Sequence, residues 1–371
     1  MPNKGNTYLN QQNALNKLKA DDIVAELPSY CKDFEKDLAT ANSSPRTILA
    51  YADDLRFFFN YLIANNSVLA SKGIKNISLE DLENLTVADF NEYVECLQYG
   101  ILDAEKLRHT KRTELTIVYR DAALSRKISA VRSFFRYLFN NDYLSKNVSQ
   151  KLRLPKLATH EVIALDAAQI ASLLDETENA DNLTDRQQKF HEHTKLRDLA
   201  LLSFMVGTGV RVSEVVALDI DDINLEETSF IAHRKENKTM ELYFSDEVAE
   251  TLRPYYRLRQ EEIAEAEAER KQGSKKPVER AMFTSLRGTR LSVRSVERLV
   301  TKYSAAAEGV KKISAHKLRS SYATGLYKET GDIYLVGNNL GHDSIRTTQR
   351  YTQEDKETRR QARNIFKLRR D

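Results

Sequence analysis

Apolar residues recur at helical spacing in three segments of the first 146 residues, separated by polar turns. Ser44 followed by Pro45 is typical of a helix start, because the serine caps free backbone amides and proline fits the first turn. Thr86 to Asp89 indicates a second start of this kind. The apolar positions are Ile48, Tyr51, Leu55, Phe58, Phe59 and Leu62, then Phe90, Val94 and Leu97, then Leu124, Ile128, Val131, Phe135 and Leu138. This pattern predicts a helical bundle.

The period changes in the second half of the chain. Asp166 to Gln169 resembles a capping box and predicts another helix start. Residues 229–232 and 240–244 predict two strands joined by a turn, because apolar and polar positions alternate in the second of them. Residues 256–278 are highly charged and predict an exposed helix followed by a flexible loop. Together these patterns predict a mainly α fold with a small β-sheet.

Shifts in composition divide the chain into segments. Residues 147–161 contain proline and basic residues without clear periodicity, which is typical of an interdomain linker. The predicted division is an N-terminal arm or first helix over 1–25, a helical domain over 26–146, the linker over 147–161, a mixed α/β domain over 162–352 and a tail over 353–371.

Composition narrows the class of protein. The chain has 371 residues, of which 41% are hydrophobic, and this is enough for two ordinary domains. Its net charge of +3 does not by itself argue for nucleic acid. Cys31 and Cys96 lack a CxxC partner, no apolar run reaches membrane-spanning length and no signal-peptide core opens the chain. We therefore expect a cytoplasmic protein without a membrane partner.

The segment between Ser314 and Thr352 holds most of the candidate catalytic side chains. His316 and Arg319 are three positions apart and share a helix face, so both can address one ligand. His342 and Tyr351 follow after Gly331 and the turn at Gly341. This combination is typical of a tyrosine nucleophile beside cationic and imidazole groups that hold a phosphate.

A second piece lies upstream. Gly207 and Gly209 break an apolar helix, and a new helix begins just after Arg211. Exposed amides and the dipole at a helix N-terminus favour an anion there. Glu214, one turn further on, is expected to hold the Arg211 guanidinium in place.

In this order, GTGVRVSEVVAL, Lys235, HKLR and LGHDSIRTTQRY resemble the catalytic domain of the tyrosine recombinase (phage integrase) family. The segments SPRTILAYADDLRFFFNYL and LSRKISAVRSFFRYL resemble the family's helical core-binding (SAM-like) domain. The resemblance implies that Tyr351 attacks a DNA phosphate to form a 3′-phosphotyrosyl link. It implies that Lys235 is the general acid, with Lys238 as the alternative in the same turn. The implied catalytic residues are Arg211, Lys235, His316, Arg319, His342 and Tyr351.

DNA contacts follow from the same resemblance. Residues 108–136 hold eight Lys or Arg against two acids, and family members clamp DNA between two such domains. The candidate DNA-contacting residues are Arg46, Arg126, Lys127, Arg132, Lys151, Arg153 and Lys156. Tetramer formation on two inverted-repeat sites is expected through the C-terminal tail, with Ile365, Phe366 and Leu368 as contacts. An accessory DNA translocase or excisionase is a further expected partner.

The resemblance implies no cofactor and no metal, because the arginines neutralise the phosphate. His191-Glu192-His193 lacks further ligands, and the acidic residues near Asp219 are out of register for a calcium loop. Additions at 99–120 and 256–278 resemble the longer Xer recombinases that resolve chromosome dimers as a single protein at a dif-like site. Three alternatives remain: an integrase or excisionase-type recombinase of a phage or conjugative transposon, a type IB topoisomerase-like enzyme, and a DNA-binding protein that does not cleave.

Overall fold

A computed structural model describes residues 7–100, 119, 121–152, 154, 163–234, 238–342 and 344–351. The chain divides into two compact units, Met1–His160 and Glu161–Asp371. The prediction of a mainly helical fold with a small sheet is confirmed. In the described ranges no helix combines the length and the apolarity that a membrane span requires.

The N-terminal unit is helical throughout its described part. Its helices are α1 (Thr7–Val24), α2 (Tyr30–Thr40), α3 (Pro45–Asn65), α4 (Ser67–Ala70), α5 (Leu79–Glu83), α6 (Val87–Tyr99) and α7 (Asp121–Asn140). As predicted, Ser44 caps α3 by accepting a hydrogen bond from the amide of Thr47, and Thr86 and Asp89 form a capping box at α6. Aromatic rings from α3, α6 and α7 pack edge-to-face at the centre of the core.

Two segments that the sequence separated from the helical domain contain packed apolar residues. Within residues 1–25, which were predicted to form an arm or a first helix, α1 packs on α3 and buries Ala20, Ile23 and Val24 in the core. Part of the predicted linker is also packed: a 3-10 turn covers Val148–Lys151, and Leu152 is buried with the α-helical core. Burial of these apolar side chains stabilises the packing of both segments on the helical core.

The C-terminal unit combines helices with a three-stranded antiparallel sheet in the order β1-β2-β3. Its helices are α8 (Ala167–Asn179), α9 (Asp185–Thr208), α10 (Val212–Ala217), α11 (Asp246–Lys271), α12 (Val293–Ala306), α13 (Ala315–Thr330), α14 (Ile333–Leu340) and α15 (Ile345–Thr348). Its strands are β1 (Ile223–Asn224), β2 (Ser229–His233) and β3 (Thr239–Tyr243). Ile231 pairs with Glu241 in the β2-β3 hairpin that the alternation predicted. Asp166 and Gln169 form the predicted capping box at α8.

The charged helix α11 is less exposed than the sequence predicts. Tyr255, Arg259 and Ile263 lie on one face and are buried. The Arg259 guanidinium donates to the backbone oxygens of Glu279 and Ala281. This face of α11 therefore binds the segment that follows the helix. A buried arginine is satisfied here because backbone carbonyls replace its water.

Candidate active site

Arg211 stands where the chain turns from α9 into α10. Gly209 ends α9 with a φ of +63°, and a Cβ there would lie 2.3 Å from the Tyr322 ring, so the turn requires glycine. Glu214 accepts a 2.7 Å bond from Arg211 Nη1 and a 2.9 Å bond from the Arg211 amide. The predicted support of Arg211 by Glu214 is therefore present. The Arg211 side chain remains 40% exposed, which leaves it accessible to an anion.

Arg319 projects from α13 and is buried, with 3% of its surface exposed. Its Nη1 donates to the Gly209 carbonyl at 2.7 Å and its Nη2 to the Leu340 carbonyl at 2.6 Å. Burial and the neighbouring Arg211 lower the pKa of Arg319 to about 10, so the guanidinium stays charged at neutral pH. Arg319 thus joins the ends of α9 and α14, next to which Arg211 and His342 lie.

His342 follows Gly341, the left-handed residue that ends α14. Arg319 Nη2 lies 3.3 Å from His342 Nε2, and Thr348 Oγ1 lies 2.9 Å from His342 Nδ1. Because arginine can only donate, Nε2 is the acceptor, and we assign the proton to Nδ1. Burial, followed by a group of nearby arginines, lowers the pKa of His342 to about 4. The imidazole is therefore neutral at physiological pH. The arginines in question are Arg319, Arg211, Arg350 and Arg234.

Tyr351 closes the cluster from a 3-10 turn, Gln349–Tyr351. Its ring lies 6.1 Å from the His342 ring with an interplanar angle of 14°, and the residue is 3% exposed. Arg350 Nη2 donates to the phenolic oxygen at 3.1 Å and lies 2.6 Å from His316 Nε2. His316 projects from the first turn of α13, where burial and then Arg350 lower its pKa. The predicted nucleophile and both predicted histidines therefore meet in one network.

Two arginines of this network were missed by the sequence reasoning. Arg350 was visible as the cation directly before Tyr351. Arg234 was visible as the cation directly before Lys235, and its Nη2 donates to the Asn339 carbonyl at 2.9 Å. A Cβ at Gly341 would lie 1.3 Å from Arg234 Nη1. The guanidinium of Arg234 therefore occupies the space that a side chain at position 341 would fill.

Lys235 lies outside the described residues. The hairpin on either side of it is closed by a 2.8 Å bond from the Arg234 amide to the Lys238 carbonyl, and Lys238 is exposed. The assignment of the general acid to Lys235 therefore stays a prediction.

The candidate DNA contacts differ in accessibility. Lys127 is corrected: it is buried, donates to the fully buried Asp54 at 3.0 Å and lies 4.5 Å from the Phe57 ring centroid, so its ammonium is held by a carboxylate inside the core instead of facing a phosphate. Arg126 also bonds Asp54 but keeps 45% of its side chain exposed. The remaining described candidates, of which Arg132 is half-buried and the others are exposed, are Arg46, Arg132 and Lys151. Arg153 and Lys156 lie outside the described residues, as do the addition at 101–118 and the tail.

One residue of the His191-Glu192-His193 motif has a backbone partner. His191 is buried, and its Nε2 lies 2.8 Å from the Thr177 carbonyl. Within the described part of the chain, no three His, Cys, Asp or Glu side chains cluster as a metal site.

Comparison with known proteins gives a consistent result. Residues 164–358 match the family described as the phage integrase family. The chain is 30% identical over 348 residues to tyrosine recombinase XerC of Caldanaerobacter subterraneus subsp. tengcongensis, covering 91% of this chain and 86% of that protein. It is also 30% identical over 349 residues to tyrosine recombinase XerS of Lactococcus lactis subsp. lactis, covering 88% of this chain and 92% of that protein.

Two solved structures share the fold. XerH site-specific recombinase bound to palindromic difH substrate has a TM-score of 0.59 and 20% identity, covering 87% of this chain and 81% of that chain. A lambda integrase dimer bound to a COC' core site has a TM-score of 0.57 and 16% identity, covering 94% and 83%.

Proposed function

The chain belongs to the phage integrase family of tyrosine recombinases, and we propose that Tyr351 cuts and rejoins DNA at a specific site through a 3′-phosphotyrosyl intermediate. One observation carries this proposal: the phenol of Tyr351 joins a network with Arg350, His316, His342 and Arg319. A tyrosine among neutral imidazoles and guanidinium groups is equipped to attack a phosphodiester and to stabilise the charge that develops on it.

Arg211 and Arg319 are proposed to bind the non-bridging oxygens of the scissile phosphate. Arg211 is accessible and held by Glu214, whereas Arg319 is fixed by two carbonyls. Charge-assisted hydrogen bonds of this kind contribute about 1.5–3 kcal/mol each. His316 and His342, whose Nε2 atoms accept from Arg350 and Arg319, are proposed to orient the phosphate through these two guanidinium groups.

The bond changes balance without a cofactor or metal. The bond between Tyr351 Oη and phosphorus forms, the bond to the 5′-oxygen breaks, and the phenolic proton passes to solvent. We propose that Lys235 protonates the departing 5′-oxygen. The phosphotyrosyl bond keeps the energy of the broken bond, so a new 5′-hydroxyl can rejoin the strand.

We propose a Xer-type role, the resolution of chromosome dimers at a dif-like inverted repeat. The support is that the XerC and XerS relatives match over most of both chains, and that the XerH structure of the same fold holds a difH substrate. The alternative is integration or excision of a mobile element, because lambda integrase shares the fold.

A tetramer on two DNA sites is proposed as the working assembly, with protomers joined through the tail residues Ile365, Phe366 and Leu368. An accessory translocase or excisionase, and a cytoplasmic location, belong to the same proposal. On the DNA-binding surface, we retain Arg46, Arg126, Arg132, Lys151, Arg153 and Lys156 as candidates.

The test is trapping of the covalent intermediate. The probe is a nicked duplex carrying an inverted-repeat site that the full-length protein selects from a randomised library. Wild type should give a protein–DNA adduct on a denaturing gel, and Tyr351→Phe should give none while binding the duplex equally well. Tyr334→Phe is the matched control, because Tyr334 is 64% exposed on α14.

The outcomes separate the candidate functions. Tight binding without an adduct in wild type would overturn the cleavage proposal and favour a DNA-binding protein that does not cleave. Relaxation of supercoiled plasmid that lacks the selected site would favour the topoisomerase-like alternative.

A further inference from the structure

Arg350 contacts the reacting atom of the proposed nucleophile. Its Nη2 donates to Tyr351 Oη at 3.1 Å and lies 2.6 Å from His316 Nε2. Its guanidinium carbon is 5.0 Å from the Tyr351 ring centroid. The cation therefore bridges the phenol and the imidazole of His316.

The local backbone explains this placement. Gln349–Tyr351 is a 3-10 turn directly after α15, and it places Arg350 beside the phenol that follows it. Arg350 is exposed, whereas Tyr351 is buried. The guanidinium is therefore the solvent-facing member of the hydrogen bond to the Tyr351 oxygen.

The partner of Arg350 on the other side is a neutral imidazole. Burial lowers the pKa of His316, and Arg350, Arg319 and Arg211 lower it further. Since arginine only donates, His316 accepts at Nε2 as a neutral imidazole. The guanidinium therefore keeps its full positive charge beside the phenol. The guanidinium is thus held by His316 and directed at Tyr351 Oη.

We propose that Arg350 is a further catalytic residue, which stabilises negative charge on the Tyr351 oxygen both as it attacks phosphorus and as it leaves during rejoining. This inference rests on the proposed function and deepens it. During cleavage the phenolic O–H bond breaks, its proton passes to solvent, and the Oη–phosphorus bond forms as the 5′-oxygen departs. During rejoining the Oη–phosphorus bond breaks, and the phenolate oxygen is the leaving group. Arg350 keeps its own protons in both directions.

The experiment measures single-turnover adduct formation on the selected nicked duplex at saturating protein. Arg350→Met retains an unbranched side chain beside the Tyr351 ring but removes the donor and the charge. Arg346→Met is the matched control, because it removes the same charge from an exposed position of α15. We expect Arg350→Met to slow cleavage by roughly 10²-fold, the lower end of the effect of removing one oxyanion donor, and Arg346→Met to retain the wild-type rate.

A second arm separates charge stabilisation from a structural role. Semisynthesis replaces Tyr351 by 2,3,5-trifluorotyrosine, whose more acidic phenol needs less help to carry negative charge. The proposal expects fluorination to restore at least part of the rate in the Arg350→Met background and to change the wild-type background much less. A structural role of Arg350 would leave the variant equally slow with both tyrosines.

The outcomes are decisive in each direction. An Arg350→Met rate equal to or faster than wild type would overturn the inference, and a faster rate would instead identify Arg350 as a brake. A slow rate that fluorination does not restore would also overturn it. If wild type forms no adduct, the proposed function itself fails, and that result is distinct from all of these.

Discussion

Arg319→Lys is expected to destabilise the C-terminal unit as well as to abolish cleavage. The Arg319 guanidinium reaches the Gly209 and Leu340 carbonyls with two different nitrogens, at 2.7 and 2.6 Å. A lysine has one nitrogen and cannot occupy both positions, so at least one buried carbonyl loses its partner. Loss of one charge-assisted bond costs about 1.5–3 kcal/mol.

This cost predicts a measurable shift in thermal unfolding. For a unit of this size, each kcal/mol lowers Tm by about 2–4 °C, so we expect a decrease of about 3–12 °C. The assay is calorimetry of the full-length chain without DNA. Arg211→Lys is the control, because its side chain is 40% exposed and its ion pair with Glu214 is worth about 1 kcal/mol or less.

The comparison of the two variants tests whether Arg319 stabilises the folded site in the absence of DNA. Both variants should lose adduct formation, but only Arg319→Lys should show the large decrease in Tm. An Arg319→Lys protein with the same Tm as wild type would refute the reasoning, because the two hydrogen bonds to carbonyls would then contribute nothing to the stability of the fold.

Three further predictions concern other residues. The pKa of His342 is about 4 in the folded chain and about 6.5 unfolded, so the unfolded chain binds more protons between these values. Denaturant titrations should therefore show stability falling as pH decreases from about 6.5 to about 4, and falling less in His342→Gln; equal slopes would contradict this. Lys127→Met should lower the free energy of unfolding by about 3 kcal/mol, because it removes a partner of buried Asp54, while anisotropy shows unchanged DNA affinity; a large loss of affinity by a stably folded variant would return Lys127 to the DNA surface. Gly341→Ala should slow adduct formation, because a φ of +61° is strained for alanine and Arg234 would have to move away from the new Cβ; a wild-type rate would show that the turn adapts.

Features that depend on neighbouring residues could be predicted from the sequence. The helix starts at Ser44, Thr86 and Asp166 are where they were expected, because capping involves a side chain and an amide three residues away. The β2-β3 hairpin is confirmed for the same reason, since alternation over five residues reports one buried face. Family motifs predicted candidate site residues in the same way, from short local patterns.

Only the tertiary structure decided which charged groups are buried and what they contact. Lys127 meets Asp54 from 73 positions away, and Arg350 meets His316 from 34 positions away. In the linear pattern Lys127 is one of a run of cations, and Arg350 is one of several polar residues before Tyr351. Their roles depend on which helices pack together, and that packing is set by the whole apolar core. The sequence by itself determined the family and predicted most of the candidate site residues, whereas the fold decided that Lys127 supports a core and that Arg350 lies beside Tyr351.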